Sequence, residues 1–293
     1  LRGLGHRVVV ETAYAGAACD LLVALHARRS AGAVALSRRL APDRPIVLAL
    51  TGTDLYRDLA RSADARRALR TADRLVVLQS LARKRLPRAL RARARVILQS
   101  CRPIPRRPGG TRDFDVLVLA HLRPVKDPLR AAIAVRRLPA SSRVRVVLAG
   151  GALSAATARR ARTEMARNPR FTWVGDLPRP RALERLARAD LLVVSSRLEG
   201  GASVISEAVT CGVPVLASRV DGNVGLLGAG HPGLFPVGDT RALAREIAAW
   251  RALLAGLARP GGRGARGARV RGSSPPTTPD ASRGARRARR SSS

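Results

Sequence analysis

Lysine and asparagine are almost missing from this sequence of 293 residues. Lys84 and Lys126 are the only lysines, Asn168 and Asn223 are the only asparagines, and the other 53 basic residues are arginines. A chain rich in Arg, Ala, Gly and Pro but poor in Lys and Asn is typical of a GC-rich coding sequence. Because lysine also binds phosphate well, the net charge of +35 is weak evidence for nucleic-acid binding, which stays an alternative.

Aromatic residues, cysteines and long apolar runs are also scarce, and each scarcity excludes a class of protein. Aromatic residues make up 2% of the chain, too few for a base-stacking platform. The three cysteines, Cys19, Cys101 and Cys211, fit neither a disulfide framework nor a metal site, which indicates a reducing cytoplasm. No run approaches the roughly 18 apolar residues of a membrane span. Hydrophobic residues nevertheless make up 46% of the chain, enough for a buried core.

Short apolar runs alternate with Arg- and Ala-rich segments of helical length. Each run is nearly continuous and rich in leucine or β-branched residues, as strands buried on both faces are. The segments between them, such as 57–72 and 179–189, have one polar face. This alternation predicts an α/β protein with parallel sheets covered by helices on both sides. The predicted strands are 6–11, 20–25, 45–50, 73–78, 95–98, 115–119, 144–148, 171–174, 190–194 and 213–217.

A proline- and glycine-rich segment, SCRPIPRRPGGTR, interrupts this alternation at residues 100–112. Neither a helix nor a strand is expected there. We therefore predict two Rossmann-like domains facing a cleft, residues 1–100 and 113–254, joined by a linker at 101–112. Ligands of such sheets bind beyond the carboxyl ends of the strands, so the cleft is the expected site.

Residues 255–293 differ in kind from the rest of the chain. They contain ten arginines and one acid, Asp280, and almost no apolar side chain larger than alanine. Such a segment cannot offset the entropy lost on ordering, so a disordered basic tail is expected. Two interpretations remain open: an unselected read-through end of a GC-rich gene, which we favour, and a tail that binds RNA or an acidic surface.

The most informative stretch is residues 195–218, SSRLEGGASVISEAVTCGVPVLAS, which follows a predicted buried strand. Gly200 and Gly201 let the backbone approach a ligand closely. The helix expected to begin at Ala202 and Ser203 offers free N–H groups and a positive dipole end. These features favour an anionic ligand.

Two glutamates frame the glycines and the start of the helix. Glu199 precedes the glycine pair, and Glu207 lies eight positions later in the helix. Glu207 is placed to accept hydrogen bonds from ribose hydroxyls, as acidic residues do in dinucleotide-binding folds. The whole stretch therefore predicts a site for a phosphorylated, hydroxyl-rich ligand. The alternative is a plain strand–turn–helix joint with solvated acids.

The Glu-x7-Glu pattern, with its Gly-Gly pair, Gly-x-Pro-Val and a following Ser-x3-Gly, resembles the donor-binding motif of GT-B glycosyltransferases of the family 4 type. The resemblance continues over about 113–250 with AHLRPVK, LAGG and WVG. It implies that Lys126 binds the donor diphosphate, that Glu199 lies by the sugar and that Glu207 holds the ribose. His121 stands where the family has arginine, so Arg123 is expected to supply the missing charge. The implied donor-binding residues are His121, Arg123, Lys126, Gly150, Glu199, Gly200, Gly201, Ala202, Ser203 and Glu207.

Over about 1–250 the chain resembles one branch of that family, the selenosugar synthases of selenoneine biosynthesis. The matching stretches are ALHARRS (24–30), LTGTDLYRD (50–58), ADRLVVLQ (72–79), LEGGA (198–202) and GNVGLLG (222–228). This resemblance implies transfer of N-acetylglucosamine or glucose from a UDP-sugar to the selenium of selenophosphate. The UDP-sugar is then a co-substrate, and neither a tightly bound cofactor nor a metal is expected. The implied catalytic residues are His26, Lys126 and Glu199, and the implied acceptor-binding residues are His26, Arg28, Arg29, Thr51, Gly52, Asp54 and Asn223.

The residue types suit that acceptor. Selenophosphate is a small polyanion, and His26, Arg28 and Arg29 follow a strand directly, which turns them toward the cleft. The segment Thr51-Gly52-Thr53-Asp54 is expected to contact hydroxyls and to cap a helix from Leu55. Because a selenium nucleophile is already anionic, no general base is assigned.

Three other interpretations remain open. The first is a family 4 enzyme with a hydroxyl acceptor, in weak contact with a membrane surface through its arginines. The second is a basic nucleic-acid-binding protein. The third is an inactive truncated relative, because the family's first strand, its glycine-rich loop and its final helix are not found in the sequence.

Overall fold

The computed structural model of the protein describes residues 1–107 and 113–257. Residues Leu1–Ala252 form one compact unit, which contains two parallel β-sheets. A second unit begins at Leu253, and of it the structure describes only the end of a helix. No helix within residues 1–107 or 113–257 is long and apolar enough to cross a membrane.

The first sheet has four parallel strands that lie in chain order. Its central strands pair Leu48 with Leu75, and both side chains are fully buried. Burying a leucine contributes about 1.5–3 kcal/mol, so this apolar layer holds the sheet to its helices. The strands are β1 (Leu22–Leu25), β2 (Ile46–Ala49), β3 (Arg74–Val77) and β4 (Ala94–Val96). The helices are α1 (Ala31–Leu40), α2 (Leu59–Arg61), α3 (Ala63–Thr71) and α4 (Ser80–Arg85), with a π-helical turn at Asp54–Asp58 before α2.

The second sheet has six parallel strands in the order β10-β9-β8-β5-β6-β7. Leu192 of the central strand β8 pairs with Leu117 of β5 and Val215 of β9, and all three side chains are buried. The strands are β5 (Phe114–Leu119), β6 (Val144–Ala149), β7 (Phe171–Trp173), β8 (Leu191–Val194), β9 (Val215–Ser218) and β10 (Leu234–Phe235). The helices are α5 (Arg130–Val135), α6 (Ala155–Arg167), α7 (Arg179–Arg188), α8 (Ser203–Cys211), α9 (Asp221–Leu227) and α10 (Thr240–Leu257).

The strand order of the second sheet places a topological switch point beside β5. This strand pairs with β6, which follows it in sequence, and with β8, which comes much later. Ligands of open α/β sheets bind outside the carboxyl ends of the strands at such a point. The loops that follow β5 and β8 are therefore brought side by side.

Local sequence signals set several helix boundaries. Ser154 and Thr157 form a reciprocal capping box at the start of α6. Ser62 accepts a hydrogen bond from the Ala65 N–H and begins α3. Gly212 ends α8 in the left-handed conformation, with φ of 72°.

Most of the predicted strands are present within a few residues, but the one at 6–11 is not. The residues there form no strand, and Val9 and Val10 are 67% and 83% exposed. A β-branched run becomes a strand only when a neighbouring strand accepts its backbone hydrogen bonds, and none of the described strands pairs with it. The two-residue strand β10 was too short to predict from its pattern.

The helical segment predicted at 57–72 is divided by Ser62. The backbone of Ser62 is extended, with φ of −114° and ψ of 117°, because its side chain caps α3. The helix predicted at 179–189 is confirmed as α7.

The structure of the linker and of the C-terminal region agrees only in part with what the sequence predicted. Residues 101–107 form neither helix nor strand, as predicted, and Ile104 packs on the core of the second sheet. The prediction of disorder from residue 255 is wrong for 255–257, which continue α10. Residues 255–257 contain no proline that would break the helix. The linker residues 108–112 and the predicted tail from 258 onward lie outside the described residues.

Candidate functional site

Lys126 and Glu199 meet at the switch point of the second sheet. Lys126 ends the short helical turn that follows β5, and Glu199 lies in the loop that follows β8. The Lys126 Nζ lies 2.5 Å from the Glu199 Oε2, although the two residues are far apart in sequence. The structure therefore brings together two of the three predicted catalytic residues.

Hydrogen bonds between the two loops hold Lys126 in place. The Ser195 hydroxyl donates to the Asp127 carbonyl oxygen at 2.8 Å, and the Arg197 N–H donates to the Val125 carbonyl oxygen at 2.8 Å. Asp127 has a left-handed backbone, with φ of 45°, and its carboxylate binds Arg130 at 2.7 Å. Lys126 is thus carried on a turn that the neighbouring strand end braces.

The Glu199 carboxylate is buried and has a second partner. Its exposure is 8%, and the Ser196 hydroxyl donates to its Oε2 at 3.0 Å. The Ser218 hydroxyl in turn donates to the Ser196 carbonyl oxygen. Ser196 and Ser218 were not predicted as site residues, although Ser196 stands in the quoted motif and Ser218 in its Ser-x3-Gly extension.

Asn223 lies beneath this loop rather than at an open surface. It is fully buried, and its Nδ2 donates to the Ser218 carbonyl oxygen at 2.9 Å. Its Oδ1 has no hydrogen-bond partner among the described residues. The structure therefore places Asn223 as a support for the Glu199 loop, through Ser218.

The glycines of the Glu199 loop allow very close backbone approaches. A Cβ on Gly200 would lie 2.6 Å from the Gly52 nitrogen, and a Cβ on Gly201 would lie 2.8 Å from the Leu78 Cβ. Gly52 follows β2, so the loop after β8 touches the strand ends of the first sheet. These two glycines are needed for contact between the halves of the unit, in addition to any contact with a ligand.

Helix α8 begins directly after the glycines. Its N-cap residue, Ala202, provides no side-chain hydrogen bond to the first turn, which starts at Ser203. The free N–H groups and the positive dipole end are therefore available to an anion. Glu207 lies inside the same helix, is 4% exposed, and has its Oε1 2.7 Å from an Arg179 nitrogen.

Gly150 and His121 form a third part of the predicted donor site. Gly150 has φ of 153°, and a Cβ there would lie 2.1 Å from the Ala120 carbonyl oxygen. The Gly151 N–H donates to the His121 Nδ1 at 3.1 Å, so this nitrogen already has a partner. Arg123 makes no side-chain hydrogen bond or ion pair with the residues described, and its guanidinium is available to a ligand.

His26 ends β1 in a conformation that is uncommon for a residue with a side chain. Its φ is 72°, its exposure is 8%, and its Nε2 lies 3.0 Å from the Thr53 Oγ1. Left-handed residues other than glycine cost about 1 kcal/mol or more and cluster at functional sites. His26 lies at the end of a strand of the first sheet, and no hydrogen bond or ion pair joins it to Lys126 or Glu199 among the described residues.

Asp58 collects the cations around His26 and was not predicted as a site residue. Its carboxylate lies 3.1 Å from the Arg28 Nε, 2.9 Å from the Arg57 Nε and 3.8 Å from the His26 Nε2. Burial by itself raises the pKa of Asp58, but the hydrogen bond and charge of Arg57, joined by its other neighbours, lower that pKa below its usual value. Asp58 is the last residue of the LTGTDLYRD stretch, and its place there was the feature of the sequence that could have identified it as a site residue.

The remaining predicted acceptor residues divide into structural and open positions. Asp54 is fully buried and accepts hydrogen bonds from the Ala27 N–H at 2.9 Å and the Thr51 N–H at 2.8 Å. It therefore ties the end of β1 to the end of β2. The N-cap residue Thr53 makes no capping hydrogen bond, but the Asp54 carboxylate accepts one from the Leu55 N–H at 2.9 Å, so the expected cap is formed in part. Arg29 is exposed and has no side-chain partner within the described part of the chain.

No group of three or more His, Cys, Asp or Glu side chains within residues 1–107 and 113–257 is arranged to hold a metal ion. The chemistry available is cationic and helix-dipole stabilisation of phosphate, with buried carboxylates to accept hydroxyl hydrogen bonds.

The fold agrees with comparisons to known proteins. Residues 105–252, half of the chain, match the family model of glycosyl transferases group 1, and the chain belongs to this family of enzymes. No curated protein sequence matches it significantly.

Three solved structures illustrate the similarity of fold. HepE of Anabaena, determined with UDP-glucose, has a TM-score of 0.66 and 21% identity, covering 80% of this chain and 70% of HepE. Sucrose-phosphate synthase of Thermosynechococcus elongatus has a TM-score of 0.64 and 20% identity, covering 80% of this chain and 64% of the synthase. The UDP-forming α,α-trehalose-phosphate synthase of Burkholderia vietnamiensis has a TM-score of 0.61 and 13% identity, covering 79% and 66%. The predicted α/β GT-B fold is confirmed.

Proposed function

We propose that the chain transfers a sugar from a UDP-sugar, with the donor bound at the switch point of the second sheet. The observation that carries this proposal is the meeting of Lys126 and Glu199, 2.5 Å apart, beside the uncapped start of α8. A cation, a buried carboxylate and free N–H groups converge there. HepE, which shares the fold, was solved with UDP-glucose, which supports the same ligand class for this chain.

The diphosphate of the donor would lie between Lys126 and the start of α8. As the bond between the sugar and the diphosphate breaks, negative charge develops on the leaving oxygen, and a cation and N–H donors stabilise it. Arg123, which has no protein partner among the described residues, would add a second cation. Glu199 would accept hydrogen bonds from the sugar, and Glu207 from the ribose.

We propose selenophosphate as the acceptor, because cations gather at the end of β1. Arg28 is 55% exposed and is oriented by Asp58, and Arg29 is exposed without a partner in the described residues. In the reaction, selenium would form a bond to the anomeric carbon as the bond to the diphosphate oxygen breaks, and UDP would leave with the electron pair. Attack of water on the phosphorus would then release phosphate and the selenosugar.

A hydroxyl acceptor is the second candidate, and the Asp58 carboxylate favours it. Asp58 offsets part of the positive charge near His26, which an anionic acceptor would not require. The division of labour is the same in both cases. We propose that residues 1–100 bind the acceptor and residues 113–254 bind the donor, and the free cysteines support a reaction in the reducing cytoplasm.

The test is a donor-consumption assay with purified protein. UDP-N-acetylglucosamine and UDP-glucose are each incubated with selenophosphate, with a set of sugar and polyol hydroxyl acceptors, and with no acceptor. We expect UDP release only with selenophosphate, and a product containing selenium by mass spectrometry. Release with hydroxyl acceptors alone would replace the selenium proposal, and the absence of UDP binding by calorimetry would overturn the donor site itself.

A further inference from the structure

The buried carboxylate of Glu207 has one cation against it, and that cation was not among the predicted site residues. Arg179 lies 2.7 Å from the Glu207 Oε1, while the carboxylate is 4% exposed. Among the ion pairs of the described residues, no other cation lies within reach of Glu207. Burying a carboxylate without a countercharge is unfavourable, so this contact stabilises the ionised Glu207 side chain in its buried position.

The contact is an ion pair without a well-formed hydrogen bond. The Glu207 Oε1 is buried and has no hydrogen-bond partner within the described residues, despite its short distance to Arg179. Hydrogen bonds weaken steeply when the donor is poorly aligned, so the attraction here is mainly that of the two charges. The guanidinium therefore has donors that none of the described residues accepts from.

The position of Arg179 gives it access to solvent and to a ligand. It is the first residue of α7, its side chain is 66% exposed, and α7 packs beside α8. It also lines an open groove of about 710 Å³ between the linker and α7, so the guanidinium has space on its other side. A buried acid is thus paired with an arginine that can still reach a bound molecule.

We propose that Arg179 is the positioning residue for Glu207 in nucleotide binding, an inference that rests on the proposed UDP-sugar function. By attracting Oε1, it turns the carboxylate so that the other oxygen faces the ribose hydroxyls. Loss of the guanidinium leaves a buried carboxylate with no fixed orientation, and the preference for a ribose with its 2′-hydroxyl is lost with it.

The experiment compares the binding of UDP and 2′-deoxy-UDP by calorimetry in four proteins. These are the wild type, Arg179→Ala, Arg179→Lys and the control Arg181→Ala. Arg181 lies on the same helix, is 73% exposed and pairs with Glu184, so its removal reproduces the loss of a surface charge and of an ion pair.

We expect the wild type to bind UDP about tenfold more tightly than 2′-deoxy-UDP, the worth of one good hydrogen bond to a charged group. In Arg179→Ala this ratio falls to about one, and KM for the UDP-sugar rises about tenfold while kcat changes less than threefold. Arg179→Lys restores most of the ratio, and Arg181→Ala leaves it unchanged.

The outcomes separate this inference from the proposed function. If the wild type does not bind UDP, the proposed donor site is wrong and this inference is wrong with it. If the wild type discriminates the two nucleotides and Arg179→Ala discriminates them equally well, only the role of Arg179 is overturned. An equal loss of the ratio in Arg181→Ala would also overturn it, because the effect would then be one of general charge.

Discussion

The polar groups at the carboxyl ends of the two sheets differ in how many of them already have a partner within the protein. At the second sheet, the Lys126 Nζ contacts the Glu199 carboxylate, Arg123 has no side-chain partner in the described residues, and the start of α8 is uncapped. At the first sheet, Asp54 accepts hydrogen bonds from two strand ends, and Asp58 pairs with three basic side chains. The second sheet therefore presents cations and N–H groups that can bind a ligand. In the first sheet, most of the polar groups bond to other groups of the protein.

This difference follows from how each region is assembled. In the second sheet, the strand order brings the β5 and β8 loops together, so one loop supplies the cation and the other the carboxylate. In the first sheet, the turn that follows β2 folds back on the end of β1, and its Asp54 carboxylate accepts hydrogen bonds from the neighbouring backbone. A topological switch point leaves donors and acceptors facing a gap, whereas a folded-back turn leaves few of them unpaired.

The largest expected effect is at Gly150, on which the second site depends. Gly150→Ala places a Cβ 2.1 Å from the Ala120 carbonyl oxygen, at a φ of 153° that side chains rarely adopt. We expect the free energy of unfolding to fall by about 3 kcal/mol, measured by urea titration. Gly230→Ala is the control, since nothing lies within 4 Å of its Cβ position and its φ is ordinary. Equal stability of the two variants would show that the strand turn at Gly150 is not rigid.

The next effect is on turnover and tests whether the Lys126 contact belongs to the reaction. Lys126→Ala removes the cation that is proposed to stabilise the leaving diphosphate, and we expect kcat to fall about 100-fold or more. Lys84→Ala is the matched control, because Lys84 is the only other lysine and is exposed. Unchanged turnover in Lys126→Ala, with normal folding, would remove the second site from the mechanism.

The sequence predicted the second region better than the first for physical reasons. Buried parallel strands are written as continuous apolar runs, and Glu199, Gly200 and Glu207 stand within one short stretch that can be recognised directly. The contact of Lys126 with Glu199 was not predicted, although both residues were named as site residues and both follow strands of one sheet. The role of Asp58 could not be predicted, since its burial and its three cations depend on the path of a turn that includes a π-helical segment.

The failures share the same origin. The run at 6–11 has the composition of a strand, but pairing is a property of neighbours that composition does not specify. Arg179 is one of 53 arginines, so no feature of the sequence distinguishes it from the solvated ones. Only its distance to the Glu207 carboxylate does so.

A smaller effect is expected at Asp58 and measures how far the first region is held by its own charges. Since the pKa of Asp58 is lowered on folding, its ion pairs stabilise the protein above the ordinary pKa of aspartate and are lost as the pH falls through the lowered pKa. Because Arg28 and Arg57 are about half exposed, we expect Asp58→Asn to cost about 1 kcal/mol at pH 7 and less at pH 3. Urea unfolding at both pH values measures this, with Asp64→Asn, a 68% exposed acid, as the control. An equal loss of unfolding free energy at both pH values would mean that Asp58 stabilises the protein through packing and not through its charge.

The smallest expected effect is at Arg29, and it separates the two acceptor candidates. Arg29 is exposed and without a partner in the described residues, so Arg29→Ala should change the free energy of unfolding by less than about 0.5 kcal/mol. If the acceptor is selenophosphate, its KM should rise about threefold, because one exposed cation near an anion contributes little more than about 0.7 kcal/mol. Arg39→Ala, an exposed arginine at the far end of α1, should leave that KM unchanged. If Arg29→Ala leaves the KM for selenophosphate unchanged and a neutral acceptor turns over, selenophosphate is not the acceptor. The groups that bind anions would then lie at the second sheet alone, and the first sheet would mainly hold an acceptor hydroxyl near the sugar.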